Sequence, residues 1–107
     1  MNDLSIVIPS QNDSIELKIL LKAINNFKIK PKEIIVIDSS NDDKITNLVN
    51  NFEIKDINLI YEKIPKSYAG KSINYSIKYI KSKYTGFLDT KTIPYSSWIR
   101  DYLLLLK

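Results

Sequence analysis

The residues best placed to do chemistry in this chain are carboxylates and lysines, because its 107 residues include no histidine and no cysteine. Their absence removes the commonest general base, the commonest zinc ligand, a thiolate nucleophile and any disulfide framework. Acid–base or metal chemistry must therefore rest on Asp, Glu, Lys, Tyr or bound water. Two aspartates stand out by position: Asp38 closes the apolar run Glu33-Ile-Ile-Val-Ile, and Asp89 closes Tyr84-Thr-Gly-Phe-Leu. Lys91 follows Asp89 after one threonine, where a second carboxylate would complete a metal-chelating pair. An aspartate and a lysine so spaced can form a surface ion pair worth about 0–1 kcal/mol, or one corner of a binding crevice. Asp38 can accept hydrogen bonds from a ligand's N–H or hydroxyl groups, or cap the helix that follows it. Lys71 stands at a helix start, where the dipole disfavours a cation unless an anion is close; an exposed lysine reaching into water accounts for it as well. Asp42 and Asp43 read as first-turn residues that complement a helix dipole.

The elements that must position these groups follow from the hydrophobic pattern. Leu4 to Pro9 is a short β-branched run suited to a buried parallel strand. After a polar turn, Ser10-Gln11-Asn12, the pair Asp13 and Glu16 has capping-box spacing. Leu17, Leu20, Leu21, Ile24 and Phe27 then form one apolar helical face, ended by Pro31. Glu33 to Asp38 is a second buried strand, and Ile45, Leu48, Val49 and Phe52 predict a short amphipathic helix. Ile57 to Tyr61 is a third strand. Beyond an irregular stretch broken by Pro65, the spacing predicts a third helix with Ile73, Ile77 and Ile80 inward, leading to the strand that ends at Asp89. Pro94, Ser96 and Ser97 begin a last helix through Trp98, Ile99, Leu103 and Leu106, whose apolar face needs a partner: a second chain or a homo-oligomer.

An alternation of strand and helix favours a parallel sheet with helices on both faces. Ligands of such sheets lie beyond the carboxyl ends of the strands, at the topological switch point. That rule selects Pro9 to Asn12, Asp38 to Asn41 and Asp89 to Thr92, all polar. With Gly70 and Gly86 as the only glycines, the dinucleotide fingerprint and the phosphate-cradling glycine loop are both missing. A bound nucleotide must then be held by side chains and strand-end backbone. Serine-hydrolase, kinase and zinc-hydrolase patterns are absent too. Tyr61, Tyr68, Tyr75 and Tyr79 lack a coherent spacing and read as core or helix-surface residues rather than stacking platforms.

Composition sets the outer bounds. A hydrophobic content of 44% and a charged content of 26% are ordinary for a globular domain. The net charge of +4 suits a polyanionic ligand. Its lysines are dispersed, as on a solvated surface, and do not form a nucleic-acid footprint. No apolar run approaches the roughly 20 residues of a membrane span, and no signal-peptide pattern opens the chain. The expected setting is cytoplasmic or peripheral to a membrane.

Several of these stretches together resemble one family. Ser5-Ile-Val-Ile-Pro-Ser10 with Asn12, then Pro31-Lys-Glu-Ile-Ile-Val-Ile-Asp38-Ser-Ser, is similar to the opening of the family 2 glycosyltransferases. Gly70-Lys-Ser-Ile-Asn74, Phe87-Leu-Asp89, Ile93-Pro94 and Trp98 continue the likeness in order, over essentially the whole chain. The resemblance implies a glycosyltransferase A-type, Rossmann-like α/β fold with a mostly parallel sheet of about four strands. It implies binding of a nucleotide-diphosphate sugar and its transfer to an acceptor hydroxyl, usually with inversion and a divalent cation, Mg or Mn. By the same likeness Pro9, Ser10 and Asn12 lie along the nucleoside, and Asp38 contacts the base or ribose. Asn74 faces the nucleotide, Lys71 lies near the phosphates, and Asp89 is the first carboxylate of a D-x-D motif and the one candidate metal ligand.

The chain departs from the family at three points. Ile73 stands where an arginine is common, Lys91 stands in place of the last D-x-D carboxylate, and nothing corresponds to the second half that carries the catalytic base. The chain thus reads as the nucleotide-binding half of a family 2-like glycosyltransferase, residues 1–107 forming one half-domain. The rival reading is a truncated or degenerate non-catalytic domain that pairs with another chain. A nucleotidyltransferase-like domain is a weaker rival, because the glycine-rich phosphate loop is missing.

Overall fold

A computed structural model of the chain describes residues 3–91. Within them the strands are β1 (Leu4–Ser10), β2 (Glu33–Asp38), β3 (Asn58–Lys63) and β4 (Tyr84–Phe87). The helices are α1 (Ser14–Asn25), α2 (Lys44–Asn51) and α3 (Ser72–Ser76), the last set between 3-10 turns at Lys66–Lys71 and Ile77–Tyr79. Every strand pairing is parallel, and the sheet order is β3-β2-β1-β4. The expected α/β fold with a parallel four-stranded sheet is therefore present. The expected final helix, Trp98 to Leu106, lies outside the described residues.

Alternation along the central strands divides the core in two, since successive side chains point to opposite faces. Leu4, Ile6 and Ile8 of β1 join Ile34 and Val36 of β2 on one face, where Leu17, Leu20, Leu21 and Ile24 of α1 and Ile45 of α2 cover them. Val7, Ile35 and Ile37 point to the other face and meet Ile64, with Tyr75, Tyr79 and Ile80 packed against them. Burying each such aliphatic side chain contributes about 1.5–3 kcal/mol. One polar group is enclosed at the amino end of the sheet. The Glu33 carboxylate, 2% exposed, accepts Ser5 Oγ at 2.6 Å and the Lys81 N–H at 2.9 Å, fixing the approach to β4.

The third helical segment does not match the inward stripe expected of it. Ile73 and Ile77 are 50% and 60% exposed, and only Ile80 turns into the core. Two 3-10 turns flank a single α-helical turn here, so the period is nearer three residues and a stripe at helical spacing does not stay on one face. The buried positions are instead Ser72 and Ser76, whose hydroxyls donate to the carbonyls of Ala69 and Ile73, each at 2.7 Å. Back-bonding of this kind lets a serine enter an apolar layer without leaving a hydroxyl unsatisfied.

Candidate functional site

The chain runs outward from β1 through β2 to β3, then returns to place β4 on the far side of β1. The strand order therefore reverses between β1 and β4, and a crevice opens beyond their carboxyl ends. It has a volume of about 440 Å³ and is lined by Pro9 to Asp13, Glu16, Ser39, Ala69, Ser72 and Asp89 to Lys91. This size is in the range of small-molecule sites, roughly 300–1,000 Å³. A wider hollow of about 680 Å³, among Asn25, Phe52, Lys55 and Ile57, adjoins the start of β3 and the last turns of α1 and α2. The strand-end crevice is the better candidate, because three separate loops converge on it.

Those loops are tied to one another. Ser10, the last residue of β1, accepts the Ser39 N–H at 2.9 Å on its carbonyl, and the Ser39 hydroxyl bonds to the same oxygen. Asn12 adopts a left-handed conformation, φ 55°, which asparagine tolerates better than most residues. That turn aims its N–H at Ser40 Oγ, 2.8 Å away. Asp13 was expected to close a capping box with Glu16, but its side chain does not cap. Its backbone carbonyl begins α1 by accepting the Leu17 N–H, while the carboxylate swings toward the crevice. There Oδ1 accepts the Gln11 N–H, and Oδ2 accepts the hydroxyl of Thr90 at 2.5 Å. Burial pushes the Asp13 carboxyl above its ordinary value, against the lowering effect of the Thr90 and Gln11 hydrogen bonds.

The expected site residues divide into those that line the crevice and those that do not. Pro9, Ser10, Asn12, Asp89 and Lys91 line it. Ser10 is 3% exposed, and its hydroxyl has no hydrogen-bond partner among the described residues. Asp89 and Lys91 are exposed on either side of buried Thr90, and Asp89 Oδ1 accepts the Lys91 N–H at 3.0 Å. Asp38 lies beneath the crevice, fully buried. Its Oδ1 accepts the Ser40 N–H at 2.8 Å, and its Oδ2 accepts the phenol of Tyr61 at 2.6 Å. Burial, and then the bond to Asp38, raise the Tyr61 phenol to about 12. Lys71 adjoins Ser72 at the rim, its ammonium 5.6 Å from the Tyr68 ring centre. Asn74 is exposed on α3 and is not part of the lining.

Gln11, Asp13, Glu16, Ser39, Ala69, Ser72 and Thr90 also line the crevice; Gln11, Ser39 and Thr90 fall in the stretches that the strand-end rule selects, and the other four do not. Gln11 lay inside the polar turn, and Asp13 carried a signal read as helix capping. Thr90 lies in the selected stretch Asp89 to Thr92, but nothing local to it signals the bond to Asp13. Tyr61 supports the site without lining it: its hydroxyl also lies 2.6 Å from Thr46 Oγ1, so one tyrosine links β3, α2 and the end of β2.

As a metal site, the crevice fits poorly. Among the described residues no three carboxylates converge. Both oxygens of Asp13 are engaged, one oxygen of Asp89 is turned onto its own loop, and Lys91 brings an ammonium where a hard oxygen donor is needed.

Known structures share this architecture. The crystal structure of Staphylococcus aureus TarS superposes with a TM-score of 0.76 at 21% identity, covering 96% of this chain and 19% of that one. TarS 1–349 in complex with UDP also gives 0.76 at 21% identity, covering 96% of this chain and 31% of that one. This chain thus spans a third or less of the structures it matches. No curated protein sequence matches it. The model of glycosyl transferase family 2 matches residues 5–107, and the chain belongs to that family.

Proposed function

We propose that this chain binds a nucleotide-diphosphate sugar in the crevice between β1 and β4, for transfer of the sugar to an acceptor hydroxyl. The observation that carries this reading is the convergence of Pro9, Ser10, Asn12, Asp89 and Lys91 at the reversal of strand order. Family membership and the UDP held by a structural relative support it. In this reading the nucleoside lies along Pro9 to Asn12, against the Ser39–Ser40 turn that Asp38 holds from beneath. The diphosphate faces Asp89 and Lys91, with Lys71 at the rim and Asn74 on α3 outside the lining. Catalysis of transfer needs a base, and the reading assigns that role to none of these residues.

A second reading, a non-catalytic domain that pairs with another chain, draws on the exposure of Ile73, Ile77 and Phe87, the last 48% exposed. Calorimetric titration with uridine, guanosine and cytidine diphosphates separates the two. Saturable binding of at least one diphosphate, much tighter than its parent nucleoside, is expected. A ligand at a hundred times its Kd adds about 2.7 kcal/mol of stability, so a thermal shift should accompany it. No binding by any of the three at millimolar concentration would leave only the second reading.

A further inference from the structure

We infer that Lys91 is the fixed cation for the ligand's diphosphate, supplying the positive charge that a divalent metal would otherwise supply. The inference rests on the nucleotide-binding reading above and concerns how that site handles charge.

The loop after β4 is held so that Lys91 keeps its position. The Leu88 N–H bonds to the Val7 carbonyl at 3.0 Å, extending the pairing of β4 on β1 by one residue. Thr90, 3% exposed, is then pinned to Asp13 across the crevice. With Thr90 turned inward, its two neighbours are left on the open side, where both line the crevice. The Asp89 carboxylate is hooked onto the Lys91 backbone N–H, and not onto the ammonium. No described residue forms an ion pair with the Lys91 ammonium. Among the described residues it is the only cationic side chain lining the crevice, alongside the carboxylates of Asp13, Glu16 and Asp89.

A ligand cation and a ligand anion could each answer these charges, and the groups around Asp89 disfavour the cation. A divalent ion beside Asp89 would find one carboxylate oxygen already turned onto the loop and would meet a like charge on Lys91. A diphosphate meets the same ammonium as an attractive partner. Lysine suits this task, being a compact point charge with three donors that can follow phosphate oxygens without bidentate geometry. Dispensing with the metal also removes the need for a second carboxylate, which is the residue this chain lacks at position 91.

The test titrates UDP, with uridine as the control, into the full chain in excess chelator and again with added manganese. Unchanged UDP affinity between the two conditions is expected. Lys91→Met should weaken UDP at least tenfold and leave uridine unaltered. Lys91→Arg should retain most of the affinity, and Lys91→Asp should bind UDP weakly in chelator and recover with manganese. Position 91 is exposed, so these variants should melt with the parent. UDP binding that requires manganese and is indifferent to Lys91→Met would overturn the inference while leaving the nucleotide-binding reading intact. Failure of UDP, guanosine diphosphate and cytidine diphosphate to bind in either condition would overturn both.

Discussion

Replacing Tyr61 with phenylalanine removes one oxygen and leaves the ring packed on the sheet, which isolates the support beneath the crevice. The lost atom donates at 2.6 Å to Asp38 Oδ2 and lies 2.6 Å from Thr46 Oγ1. Asp38 is fully buried, and the Ser40 N–H is its other partner. A hydrogen bond to a charged group is worth about 1.5–3 kcal/mol, and a buried acceptor left unpaired costs the full desolvation of that lone pair. At about 4 °C per kcal/mol for a domain of this size, Tyr61→Phe should lower Tm by about 6–12 °C. The pH dependence adds a second readout. The Tyr61 phenol is raised to about 12 in the fold, through burial and then Asp38, against an ordinary value of 10. The protonated phenol is therefore favoured by folding. Its contribution is complete below pH 10 and is lost as pH rises from about 10 to about 12. The stability gap between parent and variant, followed by urea melts, should narrow across that window. A Tm within 2 °C of the parent, or a gap that does not change with alkaline pH, would refute the assignment of Tyr61 as the partner that keeps Asp38 satisfied.

Two further substitutions probe the loops above. Asp13 has its carboxyl raised by burial, so the fold favours the protonated form and loses that advantage as pH rises past the raised value. Asp13→Asn keeps an acceptor for Gln11 and a polar group for Thr90, so it should be at least as stable as the parent near pH 7. The parent should gain on it as pH falls toward about 4; thermal melts that show the variant weaker at neutral pH would contradict this. At Asn12, with φ 55°, valine should cost about 1–2 kcal/mol, because a β-branched side chain crowds the backbone in the left-handed region that asparagine tolerates. Glycine there should change stability by less than about 0.5 kcal/mol, and equal melting of the two variants would remove the strain argument.

Elements whose burial repeats at a fixed period were legible in the sequence. The apolar run of β2 and the face of α1 at Leu17, Leu20, Leu21 and Ile24 are buried as their patterns require. The strand-end rule selected Pro9 to Asn12, Asp38 to Asn41 and Asp89 to Thr92, and Pro9 to Asn12, Ser39 and Asp89 to Lys91 line one crevice, because a parallel sheet leaves few other places where polar loops converge. The α3 region was misread because a run of isoleucines has a helical period only where the backbone does. What the sequence could not display were pairings between distant residues: Asp13 and Thr90 are separated by 77 positions, and Asp38 and Tyr61 by 23. Both bonds join side chains whose local surroundings already offered a sufficient role, helix capping for Asp13 and Asp38, and core packing for Tyr61. Only the parallel register brings the partners together.

A nucleoside diphosphate bound at the strand ends must touch the loops after β1, β2 and β4, and amide NMR of the full chain titrated with UDP measures where it does. Perturbations should concentrate at Ser10 to Asp13, Ser39, Ser40 and Asp89 to Lys91, saturate together, and be far smaller at the amides near Lys91 when uridine replaces UDP. Perturbations centred on Asn25, Phe52 and Lys55, or none at millimolar UDP, guanosine diphosphate and cytidine diphosphate, would contradict it.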